Sequence, residues 1–309
     1  MGQEIPLARL KGNDLSNGRV TTVSVDTRTS VGTGFGAWLV RFRHTAIDVI
    51  NGFVSGRFVA WELFRSRLAE SRQGTFLGLL SLFLPPLAVA AWATLIRQAK
   101  VINVPEFTDD MPYVAFVLLS MMLWMTFTES IMAPLDGVVM QLRSLAHTNY
   151  PVEAVTLARF AEIVFHFLFK LILIVAAGIW FQLPVSVTIV FAPIALLLLI
   201  LFGMGIGLTL APFHVLYRDV GQSLNTILTF WLFLTPVFFP VPKEGIVRWL
   251  FAINPVTPLL ASTRELVTIG WLTQPIGFAI MAVVSVSLFV FGCVLLRRSV
   301  PILVEQSDS

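Results

Sequence analysis

The chain has 309 residues, of which 56% are hydrophobic and only 13% carry a charge. A soluble domain carries roughly 25% charged residues, so this composition excludes an ordinary soluble enzyme and indicates an integral membrane protein. The net charge of +3 is too small to suggest a nucleic-acid-binding protein, and a single cysteine, Cys293, excludes a disulfide framework and a thiolate metal site.

The first 73 residues are too polar to cross a bilayer. Residues 1–36 mix Gly, Ser, Thr, Asn and charges, which predicts a cytoplasmic tail, and they lack the apolar core of a cleavable signal peptide. In residues 37–73, aromatic and aliphatic side chains recur at helical spacing in two segments, Trp38–Phe53 and Phe58–Leu68. We predict two amphipathic helices that lie in the headgroup region; ordinary soluble helices are the alternative.

Six apolar runs follow, and a helix needs about 20 such residues to cross a hydrocarbon core of ~30 Å. We place six spans near residues 75–96, 113–139, 160–181, 186–211, 221–239 and 272–296. In the fourth span, Gly203 and Gly207 have the spacing that lets two membrane helices approach closely. The predicted fold class is therefore all-α integral membrane, with six transmembrane helices over residues 74–298 and a cytoplasmic tail over residues 299–309.

Lysine and arginine are distributed unequally between the connections, and cytoplasmic flanks of membrane spans carry the excess of these residues. One side of the six-span arrangement holds Arg57, Arg65, Arg67, Arg72, Arg143, Arg159, Arg218, Arg297 and Arg298. The other side holds Arg97, Lys100, Lys243, Arg248 and Arg264. The first side is therefore predicted to be cytoplasmic, with both chain termini on it.

Residues 240–270, between the last two spans, combine apolar character with four prolines and several charges. Two pieces, about 244–253 and 257–269, look helical, but at ~1.5 Å per residue each is too short to cross. We predict two short re-entrant helices that form an external gate over a pathway, because irregular backbone at membrane depth needs cover by protein or water. A loop packed on the external surface is the alternative.

Residues 141–158 form a polar interruption between the second and third spans. Four charged or titratable residues, spaced for one stripe of a helix, then begin the third span: Arg159, Glu162, His166 and Lys170. Charge in hydrocarbon is unfavourable, so this stripe should face protein or a wet cavity. Glu129 and Lys170 lie equally far from the inner ends of antiparallel spans, and we predict that they face each other. Such a pair either holds two helices together or serves as a proton relay or substrate contact.

Two tryptophans, Trp124 and Trp231, lie near the middle of their spans rather than at an interface. Aromatic faces offer a sugar ring an apolar stacking surface. With Phe127 and Phe230 nearby, these residues are candidates for lining a pathway; packing in the protein core or against lipid is the alternative.

Several short motifs occur in a characteristic order between about Arg57 and Arg298. They are Gly74-Thr-Phe-Leu-Gly78 before Pro85-Pro86, Asn149-Tyr-Pro-Val-Glu153 before Leu157-Ala-Arg159, Tyr217-Arg-Asp219, Thr235-Pro236, and Asn254-Pro255 with Arg264. Together they resemble the membrane subunit of ABC exporters of the polysaccharide type, which move O-antigen, capsule, galactan or teichoic acid chains. The chain departs from that pattern in lacking a tryptophan after Leu77-Gly78, in Thr156 where proline is common, and in a longer N-terminal extension.

The resemblance implies a permease in the bacterial cytoplasmic membrane, acting as a dimer, most simply of identical chains, on a lipid-linked glycan. Each copy would bind one ATPase subunit through the loop at 141–158, and ATP and Mg²⁺ would bind to that partner, so the chain itself would hold no cofactor or metal. The implied coupling residues are Arg143, Leu145, His147, Asn149, Tyr150, Pro151, Glu153, Tyr217, Arg218 and Asp219. The implied external gate includes Trp249, Asn254, Pro255 and Arg264.

The printed sequence contains no G-x-x-x-x-G-K-[ST] nucleotide-binding motif, so movement driven by ATP would need a separate subunit. Two other classes stay open. A secondary transporter would use the stripe of Glu129, Glu162, His166 and Lys170 for protons, although no internal repeat with paired broken helices is visible. A membrane-embedded enzyme acting on lipid-linked sugars would need convergent acids, bases or metal ligands, and the four histidines are dispersed along the chain.

Overall fold

The computed structural model describes residues 35–73, 76–99, 111–147, 151–183, 186–217, 219–241 and 244–307. The first 41 residues form one unit, of which only 35–41 are described, as the start of a helix. The second unit is Phe42–Ser309, and the contacts below belong to it.

Nine α-helices account for most of the described residues, and a short 3-10 helix, Val187–Phe191, leads into the fifth. They are α1 (Phe35–Gln73), α2 (Phe76–Gln98), α3 (Tyr113–His147), α4 (Val152–Trp180), α5 (Ala192–Leu216), α6 (Asp219–Phe233), α7 (Ile246–Ile253), α8 (Val256–Thr268) and α9 (Pro275–Ser307). The bundle has two opposite ends. We call one the α3–α4 end, because α3 ends and α4 begins there, and the other the α7–α8 end, which is also where α3 begins.

Four stretches of the described chain are long and apolar enough to cross a bilayer: Tyr113–Gln141, Val152–Trp180, Val187–Leu216 and Pro275–Leu303. The protein is therefore an integral membrane protein. The predicted first and fifth spans coincide with α2 and α6, whose apolar helical stretches are shorter; that of α2 is Phe83–Ile96. The turn after Phe233 leads to Pro236, which lacks a backbone donor and disfavours helical geometry in the residue before it. Six crossings stay a prediction.

Helix α5 is the centre of the bundle, between α3 and α9. The predicted close approach at Gly203 and Gly207 is present: a Cβ at Gly203 would lie 2.9 Å from the Phe127 carbonyl oxygen, and one at Gly207 would overlap the Ile131 carbonyl oxygen. On another side of α5, a Cβ at Gly205 would lie 2.8 Å from the backbone nitrogen of Phe289 in α9. Glycine thus brings three helix backbones together.

The N-terminal amphipathic region differs from the prediction of two helices, because α1 is one continuous helix. No proline interrupts it, and two of its glycines, Gly52 and Gly56, allow close packing against the start of α4. A Cβ at Gly52 would lie 2.5 Å from Glu153 Oε2, and one at Gly56 would lie 3.0 Å from Pro151 Cγ.

The predicted loop at 141–158 is also mostly helical. Helix α3 continues to His147 and α4 begins at Val152, so only a few residues connect them, and residues 148–150 lie outside the described chain. Likewise α9 continues into the predicted tail, where Val300 and Leu303 are buried. Hydropathy marks the part of a helix that contacts lipid, whereas the helix itself continues into the polar flank.

The two short helices predicted after the fifth span are present as α7 and α8, and the break between them falls at Asn254-Pro255. The Asn254 side-chain oxygen accepts a hydrogen bond from the Val256 backbone nitrogen, which terminates one helix and starts the next. Side chains of α8 from Val256 to Leu266 are buried, whereas α7 exposes Trp249, Leu250 and Ile253. Helix α8 is therefore an interior element of the chain.

Candidate functional site

The predicted contact between Glu129 and Lys170 is present inside the α3–α4 pair. Glu129 precedes the end of α3 by as many residues as Lys170 follows the start of α4, so antiparallel packing brings them to the same height. Lys170 Nζ donates to Glu129 Oε2 at 2.8 Å and lies 3.3 Å from Thr126 Oγ1. The Lys170 side chain is only 1% exposed, which makes the pair a buried one.

The predicted stripe on α4 separates into two clusters. His166 Nδ1 contacts Glu129 Oε1, so His166 belongs with the Glu129–Lys170 pair. Glu162 pairs instead with Arg159, whose Nη1 donates to Glu162 Oε2 at 2.7 Å. Gly137 of α3 makes room for Arg159, since a Cβ there would lie 2.5 Å from Arg159 Nε. The two clusters follow each other along α4 from its middle towards the α3–α4 end.

A third cluster at the α3–α4 end was not predicted. Arg297 of α9 donates through Nη1 to Glu153 Oε1 at 2.6 Å and to the Asp48 carbonyl oxygen at 2.8 Å, joining α1, α4 and α9. The Glu153 side chain is 4% exposed, so it lies against Arg297 inside the bundle, and its role in contacting an ATPase stays a prediction. The sequence did contain a signal: Gly52 and Gly56 have the same four-residue spacing as the pair in α5.

Other predicted coupling residues are placed only in part. Arg143, Leu145 and His147 lie in the last turns of α3, while Asn149, Tyr150 and Arg218 lie outside the described chain. Pro151 precedes α4 and packs on Gly56. Tyr217 and Asp219, on either side of the turn into α6, are exposed.

The turn between α5 and α6 is tied to α3 by His214. Its Nδ1 accepts a hydrogen bond from the Gly221 backbone nitrogen at 3.1 Å, and its Nε2 lies 3.6 Å from Asp136 Oδ1. Because a ring nitrogen that accepts a hydrogen bond carries no proton, this arrangement requires the proton on Nε2 in the neutral ring. The exposed side chains of Tyr217 and Asp219 therefore project from a turn held against α3.

Three of the four predicted pathway aromatics pack against one another. Ring centroids of Trp124 and Phe127 lie 5.4 Å apart, and both rings contact Trp231, at 6.4 and 5.7 Å. Trp124 and Phe127 are buried in the largest hydrophobic cluster of the described residues. Packing is therefore the correct interpretation for these two, and of the four only Phe230, 68% exposed, faces outward.

Asn254, one of the predicted gate residues, organises the α7–α8 end. Its Oδ1 accepts from Trp231 Nε1 at 3.1 Å, and its Nδ2 lies 2.8 Å from both the Leu234 carbonyl oxygen and Thr235 Oγ1. These bonds connect the break between α7 and α8 to the turn that follows α6. Trp249 is 70% exposed and takes no part in them in the described structure.

Arg264, in α8, is a buried cation with neutral partners. Its Nη1 donates to Ser120 Oγ at 2.8 Å and lies 3.3 Å from the Pro236 carbonyl oxygen. The guanidinium carbon lies 4.0 Å from the centroid of the Phe116 ring, a favourable cation–π geometry. Arg264 therefore joins α8 to α3 and to the turn after α6.

No group of three or more His, Cys, Asp or Glu side chains suited to a metal ion occurs within the described residues. Their charged side chains instead meet in pairs and small clusters that connect helices.

Comparisons with known proteins identify the family of this chain. The chain matches the family model described as ABC-2 type transporter over residues 59–268, which is more than half of its length. It is similar to the O-antigen export system permease protein RfbA of Myxococcus xanthus, with 24% identity over 208 residues that cover 66% of this chain and 78% of that protein. This protein belongs to the ABC-2 type transporter family.

Proposed function

We propose that this protein is the permease subunit of an ATP-driven exporter that moves a lipid-linked polysaccharide across the bacterial cytoplasmic membrane. The family match over residues 59–268 carries the proposal, and the similarity to a permease named for O-antigen export supports the polysaccharide cargo. A separate ATPase subunit would bind ATP and Mg²⁺, with two ATPase copies acting on two permease copies.

The proposed topology has six crossings with both termini in the cytoplasm. In this topology the α3–α4 end is cytoplasmic, which agrees with the position of Arg159 and Arg297 at that end. The α7–α8 end then faces outward, where α7 and α8 form the external gate. The surrounding lipids contact the exposed apolar faces of the spans.

Force from the ATPase would enter at the connection between α3 and α4. Pro151 and Ala154 at the start of α4 pack on Gly56 of α1, and the neighbouring Glu153 binds Arg297 of α9. A push on residues 148–151 would therefore move α4 and the packed part of α1 against α9, where Arg297 binds Glu153. The exposed turn at Tyr217–Asp219 lies at the same end and offers a second contact.

The pathway would run along α6 of each copy. Only Gly221, Leu224 and Leu228 of this helix are buried, on one face. Besides the apolar Ile227, Phe230 and Phe233, the exposed faces carry six polar or charged side chains: Asp219, Gln222, Ser223, Asn225, Thr226 and Thr229. Amide and hydroxyl groups facing hydrocarbon are unfavourable, so a wet passage between two copies fits this helix better than lipid. The same groups offer hydrogen bonds to sugars.

Deleting the gene in its host tests the function. Surface polysaccharide should disappear while the lipid-linked glycan accumulates, and a plasmid copy should restore export only when the partner ATPase retains its nucleotide-binding lysine. Export that continues with an inactive ATPase and stops when an ionophore collapses the proton gradient would instead identify a secondary transporter. A chemically altered lipid-linked glycan produced by the isolated chain would identify an enzyme.

A further inference from the structure

An apolar crevice of about 920 Å³ lies between α3, α4 and α5 and is closed at one side by α8. Its lining includes residues of α3 from Ala115 to Leu123, of α4 from Phe160 to Ile179 and of α5 from Ala192 to Ile200. Thr263 and Val267 contribute from α8. This crevice is separate from the exposed polar face of α6 and from the ion pairs described above.

The chemistry of the crevice selects a hydrocarbon ligand. Among the described lining residues, Thr263 alone has a polar side chain, and its hydroxyl already donates to the Leu259 carbonyl oxygen at 2.8 Å. No charged side chain is among those lining residues, so a diphosphate group would find no cation there. Water would find few hydrogen-bond partners, since polar cavities hold ordered water and apolar ones stay dry.

The part of the crevice that α3 and α5 enclose is about as deep as one leaflet of a bilayer. The lining covers nine residues of α3 and nine of α5, about 12 Å of helix at the standard rise, and it continues along α4 from Phe160 to Ile179, about 28 Å. One half of a hydrocarbon core of ~30 Å is about 15 Å. The lining of α3 lies in the first turns of that helix, which places the crevice in the leaflet at the α7–α8 end.

The crevice is open to the surrounding membrane. Helices α4 and α5 pack together at Ile163, Ile200 and Met204, and the crevice lies beside this contact, with most of its lining towards the α7–α8 end. Leu168 and Val175 line it and are also exposed, by 53% and 52%. An acyl chain can therefore enter from the side, and it would supply the dispersion contacts that an empty apolar cavity lacks.

We propose that this crevice binds an acyl chain of a glycerophospholipid from the leaflet at the α7–α8 end. The bound chain packs against Thr263 and Val267 and so supports α8, whose Arg264 is bonded to α3 and to the turn after α6. The site is independent of the cargo proposed above, because binding of a membrane lipid requires neither an ATPase nor a glycan.

Gly178 provides a variant that fills the crevice without disturbing the protein. It lines the crevice, and a Cβ there would meet no atom within 4 Å. Gly178→Phe should therefore place a ring where the acyl chain lies. Ile172→Phe is the matched control, because Ile172 lies on the same helix, is 62% exposed and is not part of the described lining.

The experiment uses the full chain in nanodiscs that contain a phosphatidylethanolamine with a photoreactive diazirine in the middle of one acyl chain. After irradiation, mass spectrometry of peptides should find labelling concentrated on crevice residues such as Leu171 and Leu197. Gly178→Phe should reduce that labelling several-fold, and Ile172→Phe should leave it unchanged. Leu197→Trp, which fills the crevice from α5, replaces Gly178→Phe if that variant does not fold.

Three outcomes would overturn the proposal. Labelling of the crevice no stronger than that of the face around Ile172 would mean contact with bulk lipid only. Labelling by an isoprenyl diphosphate probe without labelling by the phospholipid probe would assign the crevice to a glycan carrier. Disulfide-linked dimers of Gly178→Cys would assign it to a second copy of the chain, since the native Cys293 is buried.

Discussion

Two ends of the bundle are held together by different chemistry. At the α3–α4 end, opposite charges meet: Glu153 of α4 pairs with Arg297 of α9, and Arg159 pairs with Glu162 within α4. At the α7–α8 end, Arg264 and Asn254 bind hydroxyl, carbonyl, indole and backbone groups. An ion pair keeps its attraction when its partners are exchanged, whereas a cation bound to carbonyl and hydroxyl oxygens has no exchangeable partner. Paired substitutions therefore distinguish the two ends.

The largest effect on stability is expected for the buried ion pair between Glu129 and Lys170, in the middle of the bundle. Lys170→Ala leaves the Glu129 carboxylate without its buried cation, and breaking such a pair costs about 3–5 kcal/mol of unfolding free energy. Unfolding of the purified protein by SDS titration in mixed micelles measures this loss. The double variant Glu129→Lys with Lys170→Glu should recover much of it. If the double variant is as unstable as either single reversal, charge complementarity does not hold α3 to α4.

The next largest effect is expected at Arg264. Arg264→Ala removes two hydrogen bonds from a charged donor and the contact with the Phe116 ring, a loss of about 3 kcal/mol. Lysine lacks the planar guanidinium with its several N–H donors, so Arg264→Lys should recover only part of the unfolding free energy that Arg264→Ala loses. Arg57 is the matched control, because its guanidinium stacks on the exposed Phe58 ring, and Arg57→Ala should cost less than about 1 kcal/mol. Equal losses for the two alanine variants would contradict this assignment.

Asn254→Ala should also lower the unfolding free energy, but by less than Arg264→Ala. It leaves the Trp231 indole and the Leu234 carbonyl without their partner at a partly buried site, for a loss of about 2 kcal/mol. Trp231 fluorescence offers a local measurement, since loss of the indole hydrogen bond should shift its emission. Asn254→Asp separates the two contributions, because it keeps an oxygen that accepts from the Trp231 indole but loses the amide group that donates to the Leu234 carbonyl. Stability equal to wild type in that variant would show that the donor contributes nothing.

The smallest effect is expected for Glu153 and Arg297, since the Arg297 side chain is 35% exposed and solvent screens the pair. Arg297→Ala should cost about 1 kcal/mol, because solvent reaches the pair from the Arg297 side. Exchanging both charges should restore stability, and salt should weaken the wild-type contribution. If the exchanged variant regains stability but loses coupling between ATP hydrolysis and export, the pair transmits force by its geometry. Unchanged export in every variant would show that the Glu153–Arg297 pair does not transmit force from the ATPase.

The parts of the fold that depend on local pattern were predictable from the sequence. Apolar runs located the long helices, the break at Asn254-Pro255 located α7 and α8, and equal distances from one connection placed Glu129 against Lys170. Each of these follows from helix geometry together with a short connection. The glycine spacing in α5 likewise predicted close helix contact.

Contacts between distant parts of the chain were not predictable. Nothing in the local pattern pairs Arg297 with Glu153, or Arg264 with Ser120, because each contact depends on how the helices pack after they form. The same limit explains why Trp124 and Phe127 were pathway candidates: their depth follows from sequence, but the face that they occupy does not. The continuity of α1 likewise depends on a distant contact, because its glycines Gly52 and Gly56 pack on the start of α4.

The glycines of α5 limit how this protein can change shape. Helices that touch through long side chains can slide by changing rotamers, but Gly203, Gly205 and Gly207 leave backbone against backbone, with little to rearrange. Helices α3, α5 and α9 should therefore behave as a single stiff slab. Any transport cycle then has its moving parts at the periphery, in α2, α4 and α6, which turn against a stationary interior.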